Sequence, residues 1–166
     1  MLAGLLCWGC KQTDVTQVLD RAETCMAERP DSSLYLLRTL DKRHISGSLR
    51  KARYALLYSQ ALDKNYIDVD NDSLIRVAVD YYKGHGTSHE KALAYFYLGR
   101  VYDNAGDETR ATEAFVEAET HALDTDDHYI CGLIYSYLGN LYFSQYSFDE
   151  ALAMYDKSEK CYAQAG

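Results

Sequence analysis

Residues 97–102 read YLGRVY and residues 137–142 read YLGNLY, so a six-letter phrase returns 40 positions later. The likeness continues on both sides. Tyr95 and Tyr135 precede the two copies, and Ala111, Phe115 and Ala118 follow Gly99 at the offsets at which Ala151, Tyr155 and Ser158 follow Gly139. Tyr95, Leu98, Gly99 and Tyr102 fall at i, i+3, i+4 and i+7, which is one face of an α-helix. Ala111, Phe115 and Ala118 make the matching stripe of a second helix. A glycine inside a helix costs about 1 kcal/mol against alanine, so Gly99 predicts another helix backbone pressing close where no side chain fits. Between the helices, DNAGDET (103–109) offers Gly106 for a left-handed helix end and Asp107 as the next N-cap. The later copy has SQYSFDE (144–150), in which Ser147 and Glu150 have capping-box spacing.

This pattern resembles the tetratricopeptide repeat, whose signature is an aromatic residue, L-G-x-x-Y, A-x-x-x-F and a closing small residue. Residues 92–125 and 132–165 carry it, with tyrosine in the tryptophan position and no closing proline. The spacing exceeds the usual period of about 34 residues, and the extra residues lie in HALDTDDH (121–128), which predicts flanking helices longer by about 9 Å in total. Upstream, ARYALLYSQALDK (52–64) and DSLIRVAVDYY (72–82) pair as helices, with Asp72 a candidate cap. Val15, Val18, Leu19, Ala22 and Met26 form a further stripe, and Pro30, Asp31 and Ser32 open a helix carrying Leu34, Leu37 and Leu40. The resemblance implies an all-α, right-handed superhelix of about four helical hairpins, an α-solenoid, at 14–41, 48–83, 89–123 and 128–164. Pro30 is the sole proline, which agrees with a helical chain.

The phrases ARYALLYSQALDKNY and YLGRVYDNAGD are similar to those of exported tetratricopeptide proteins of Bacteroidetes. The first ten residues, MLAGLLCWGC, form an apolar run too short to span a bilayer. With Trp8-Gly9-Cys10 closing the run, they resemble a bacterial lipoprotein signal, in which Cys10 would be lipidated and become the mature N-terminus. The resemblance therefore implies a signal at 1–10, a repeat domain at 11–166, and a lipid anchor on the periplasmic or outer-membrane side. No basic residue precedes the apolar run, so a start upstream of Met1 is expected, and the repeats are expected to run on past Gly166. Cys25, Cys131 and Cys161 lie far apart with no C-x-x-C pair, and read as small core residues.

Twenty-five acidic against 17 basic residues give a net charge of −8, which opposes binding to a nucleic-acid backbone. DVDND (68–72) begins like a calcium loop, but Ser73 stands where the sharp turn needs glycine and Val79 where a bidentate glutamate should close the site. His121, Asp124, Asp126, Asp127 and His128 read as an acidic helix junction, with a divalent-metal site the alternative. His85 and His89 are separated by a glycine-broken loop and lack helical zinc geometry. There is no phosphate loop, nucleophile elbow or Cys–His arrangement. Neither an enzyme nor a cofactor is expected.

In tetratricopeptide proteins the first helix of each hairpin lines a concave groove, and a stripe on it touches the ligand. The resemblance carries this role to Phe96, Arg100, Asp103 and Asn104 in one copy and to Ser136, Asn140, Phe143 and Ser144 in the next. Phe96 and Phe143 would be apolar anchors for a protein or peptide ligand, and Arg100 and Asn140 would supply hydrogen bonds. Phe96 stands where the family's chaperone-tail clamp wants lysine, so that mode is not expected. The function implied is a membrane-anchored, non-catalytic interaction module. The alternative is the extracytoplasmic sensor part of a longer signalling or transcription-regulating protein.

Overall fold

The computed structural model describes residues 14–166, so Cys10 and the signal-like run 1–10 lie outside the described residues. Eight α-helices follow one another: α1 (Val15–Cys25), α2 (Pro30–Thr39), α3 (Ser48–Lys64), α4 (Ser73–His85), α5 (Ser88–Asn104), α6 (Glu108–Ala122), α7 (His128–Ser144) and α8 (Phe148–Ala165). A short 3₁₀ turn, Lys42–His44, joins α2 to α3. Among the described residues none is extended into a strand, and no helix is long and apolar enough to cross a membrane.

Five of the eight helix starts have a clear local cause. The Asp14, Asp107 and Asp127 carboxylates accept from the backbone N–H groups of Thr16, Arg110 and Ile130, each at 3.0 Å. Thr87 and Glu90 close a reciprocal capping box at the head of α5. Pro30 opens α2, where its missing N–H costs nothing. Two expected caps are not made. Ser147 heads α8 without a side-chain bond. Asp72 heads α4, but its carboxylate is drawn away to Arg76 at 3.0 Å and to the Tyr102 hydroxyl at 2.8 Å. Asn71 takes over the turn and accepts from the Ser73 hydroxyl at 2.6 Å.

The four consecutive helix pairs form hairpins. In the last, the Tyr155 ring faces Gly139, Ser158 bonds Ser136 and the Tyr162 ring faces Gly132, so the partners move apart in step from the turn and the helices are antiparallel. The glycines explain how tightly such pairs close. A Cβ on Gly99 would lie 2.6 Å from Phe115, and one on Gly139 would lie 2.6 Å from Tyr155. What needs the space is therefore an aromatic side chain of the second helix, where a backbone was expected. Gly132 repeats the device with Tyr162, also at 2.6 Å.

Successive hairpins stack. The second helix of each pair touches the first helix of the next, and α1 meets α3, α3 meets α5, and α5 meets α7. No comparable approach joins the even-numbered helices, so the odd-numbered ones form the inner, concave layer. The architecture is all-α and tetratricopeptide-like. One apolar cluster, built on Leu19, Leu37 and Ala61, fills the space between α1, α2 and α3. A larger cluster runs from Ala52 and Ile75 through Phe96 and Phe115 to Ile134 and Leu138. Helix α3 contributes to both clusters from different faces, and half-buried Val69 and Leu74 pack against both.

Candidate functional site

The inner layer encloses two adjoining cavities. The first, of about 290 Å³, lies between α1, α3, α5 and α7 and is lined by Glu23, Arg53, Gln60, His89, Leu93 and Asp127 among others. The second, of about 300 Å³, continues toward the hairpin turns past Asp63, Tyr66, Arg100 and Tyr137. Lys64, Tyr97, Tyr129 and Leu133 line both, so the two are lobes of one groove.

Most charges along the groove are neutralised from within the protein. Arg53 on α3 pairs with Asp20 at 2.7 Å and with Glu23, both on α1. Arg100 on α5 donates from Nε to Asp63 at 2.8 Å and from Nη1 to Asp103 at 2.8 Å, while its guanidinium lies 4.3 Å from the centre of the Tyr137 ring. Burial works against the Arg100 charge, but Asp63, Tyr137 and Asp103 outweigh it and hold the group above its ordinary value. Burial raises the Asp103 carboxyl in spite of Arg100. His89 Nδ1 stands 3.4 Å from the Asp127 carboxylate. Lys64 is different, because among the described residues its Nζ reaches only a ring face, 5.9 Å from the centre of Tyr129. It is a cation that both lobes share and that keeps hydrogen-bond donors to offer.

The tyrosines divide into floor and rim. Tyr97 is buried, and burial pushes its hydroxyl well up; burial also raises that of half-buried Tyr137. Tyr129 and Tyr66 are exposed at the rim, the latter 94% so. Tyr66 also holds a left-handed backbone at φ 57°. The groove can thus bind by ring contact and a few polar groups. Among the described residues it brings together no nucleophile with a base.

The structure divides the residues that sequence reasoning assigned to the groove. Arg100 is in it, with Asp103 behind as its counter-ion. Phe96, expected as an apolar anchor for a ligand, is 2% exposed and wedged among Tyr97, Phe115 and Tyr137 at 5.0, 5.7 and 5.5 Å between ring centres. Only its edge reaches the groove floor. The Asn104 amide donates to the Val69 carbonyl at 3.3 Å and ties α5 to the α3–α4 linker. Ser136, Asn140, Phe143 and Ser144 line neither lobe. Ser136 shares a hydrogen bond with Ser158 at 2.8 Å, and Asn140 accepts from the Tyr155 hydroxyl at 2.8 Å, so both serve the α7–α8 seam. Phe143, 58% exposed, packs edge-on against Phe148 at the hairpin tip. The Ser144 hydroxyl donates to Glu108 at 3.1 Å, on α6.

The residues missed are Lys64, Tyr66, Tyr129, Leu133, and the pair Tyr97 and Tyr137. A signal for part of this set existed. Leu93 with Tyr97 and Leu133 with Tyr137 occupy the same offsets in the two repeat copies, four residues apart, and Tyr97 and Tyr137 are the first letters of the repeated phrase. That part of the groove is lined by residues that repeat, Leu93, Tyr97, Leu133 and Tyr137.

Among the described residues no group of three or more His, Cys, Asp and Glu side chains converges as a metal site. His121 stacks on Tyr95 with ring centres 5.8 Å apart. His85 stacks on Tyr81 at 4.8 Å.

No family model matches the chain. No curated protein matches it either. Among solved structures, one described as "MamA RS-1 ArsTM double mutant" aligns over 90% of this chain and 94% of its own, with 15% identity and a TM-score of 0.38. A superposition that loose has no bearing on ligand or partner.

Proposed function

We propose that this chain is a non-catalytic protein-interaction module whose concave groove takes an extended or helical segment of a partner protein. The observation that carries this reading is the continuity of the two lobes through Lys64, Tyr97, Tyr129 and Leu133, on the inner layer of the stack. A segment laid there meets the Tyr129 and Tyr66 rings, which offer large contact area with little conformational freedom to lose. Lys64 then supplies one directional charge, suited to a carboxylate or backbone carbonyl of the ligand. Arg100 and Arg53, held by their own aspartates and glutamate, shape the walls. We further propose, from the residue pattern MLAGLLCWGC, that the module is tethered by a lipid on Cys10 at the periplasmic or outer-membrane side.

The test is selection of a displayed random-peptide library on the purified chain, followed by titration of the enriched peptides. Lys64→Ala and Tyr129→Ala are each expected to weaken the selected peptides about tenfold or more while the thermal transition stays in place, since both side chains are partly solvent-exposed. Enriched peptides that bind both variants as tightly as the parent, or a library that yields none, would overturn the groove reading. For the tether, labelled fatty acid should enter the chain expressed in a bacterium and should fail to enter Cys10→Ser.

A further inference from the structure

Two thiols that sequence spacing places 30 residues apart stand opposite one another in the last hairpin. The seam of α7 and α8 has two parallel ridges. On one, Gly132, Ser136 and Gly139 meet Tyr162, Ser158 and Tyr155. On the neighbouring ridge, Tyr135 meets Lys157, whose Nζ lies 4.8 Å from the centre of its ring. One turn further from the hairpin tip, four residues before Tyr135 and four after Lys157, the same ridge brings Cys131 to Cys161. Both are free thiols, one buried and one half-buried; the Cys131 thiol donates to the Ala122 carbonyl at 3.6 Å, and the register of the ridge sets Cys161 opposite it. Cys25, the remaining described cysteine, is on α1 and contacts Arg29 at 3.6 Å.

We propose that Cys131 and Cys161 form a reversible intramolecular disulfide that clamps the far end of α8 onto α7, with a small-molecule disulfide as oxidant. Cys161, the more accessible, acts first. Its thiolate attacks one sulfur of the small disulfide, forming a mixed disulfide and expelling a small thiolate. The Cys131 thiolate then attacks the Cys161 sulfur, closing the protein disulfide and expelling the second small thiolate. The two protons lost by the cysteines end on the two released thiols, so the protein gives up two electrons and the small disulfide takes them. Burial raises the Cys161 thiol above its ordinary value, with Cys131 and the charge of Lys157, one turn earlier on α8, offsetting only part of the rise, and burial raises the Cys131 thiol as well.

The clamp lies where the helix needs it. Ala151 and Ser158 are the only fully buried side chains of α8, and Cys161 lies beyond both of them. A cross-link there removes freedom from the unfolded chain and suppresses fraying of the terminal turn.

The experiment uses the full chain with Cys7, Cys10 and Cys25 changed to serine, incubated with oxidised glutathione under native conditions. The expected product has lost the mass of two hydrogens, carries no glutathione, and yields a linked Cys131–Cys161 peptide on digestion. Its thermal transition should rise by roughly 10 °C and return on reduction. In the same background, Cys131→Ser should instead accumulate glutathione on Cys161. The proposal is overturned if both thiols still react with an alkylating agent after oxidation, or if each keeps its own glutathione.

Discussion

Replacing Gly99 by alanine sets two effects against each other, and the structure decides between them. Alanine in a helix interior is worth about 1 kcal/mol over glycine. Against this, the new methyl group would lie 2.6 to 2.9 Å from three atoms of the Phe115 ring. Phe115 is 0% exposed, with Phe96 and Tyr137 at 5.7 and 5.5 Å between ring centres, so the ring has nowhere to retreat. Overpacking of a closed core costs up to about 3 kcal/mol, which leaves a net loss of about 2 kcal/mol and a transition lowered by roughly 4–8 °C. The cause is isolated by a cycle with Phe115→Val, which removes all three clashing ring atoms. In that background Gly99→Ala should stabilise by about 1 kcal/mol, giving a coupling of about 3 kcal/mol in urea titrations. Gly139→Ala is the control, because its partner Tyr155 is 36% exposed and can swing outward. That substitution is expected to be neutral within about 1 kcal/mol. If Gly99→Ala has the same effect with and without Phe115, the ring does not explain the glycine.

Three further outcomes are expected. Arg100→Ala strands the Asp63 and Asp103 carboxylates and should lower stability by about 2 kcal/mol in a urea melt, with Asp63→Asn recovering part of the loss. Thr87→Ala breaks a complete capping box and should cost about 1 kcal/mol, whereas Ser147→Ala, at a cap that makes no side-chain bond, should cost a few tenths at most. Hydrogen bonds from the Tyr102 hydroxyl, then from Arg76, hold the Asp72 carboxyl below its usual 3.8. A carboxyl depressed by folding contributes stability that is complete above its unfolded value and is lost as the pH falls through its folded one. The acid limb of the stability curve, below about pH 4, should therefore be shallower in Asp72→Asn than in the parent, and identical limbs would count against the bond.

The hairpins were legible because packing residues obey helical periodicity: Leu98, Gly99, Tyr102, Ala111, Phe115 and Ala118 are all buried. Periodicity fails to say which side of a helix meets which neighbour. Helix α5 buries Ala92, Ala94, Phe96, Tyr97, Leu98, Val101 and Tyr102, an arc too wide for a single stripe, because it touches α3, α4, α6 and α7. On such a helix the residue beside the main stripe is as buried as the stripe itself, which is why Phe96 belongs to the core. Helix α7 has α8 on one side and the groove on another, so Ser136 and Asn140 went to the seam while Tyr129, Leu133 and Tyr137 faced the cavity. Choosing between these arcs needs the stacking geometry, which a single hairpin's sequence does not carry.

The intra-hairpin turns make the same point with a backbone position. Tyr66, Gly106 and Tyr146 follow α3, α5 and α7 at the same place in the turn, with φ of 57°, 72° and 62°. In each, the left-handed residue donates its N–H to a carbonyl two residues before the helix cap, Asp63, Asp103 and Phe143 respectively. The conformation is therefore set by the turn and holds whatever the side chain, as it must if all three hairpins are to close alike. Glycine takes it freely, but a tyrosine gives up about 1 kcal/mol there. The tyrosines recover nothing by burial, being 94% and 81% exposed. Tyr146 at least has a neighbour, Phe148, edge-on at 6.1 Å. Tyr66 stands over the second lobe of the groove with Lys64 and Tyr129. At Tyr66 the exposed ring at a position where glycine is more stable fits the proposed contact with a bound segment at the groove's rim, and Tyr66→Gly should then stabilise the chain while weakening the selected peptides.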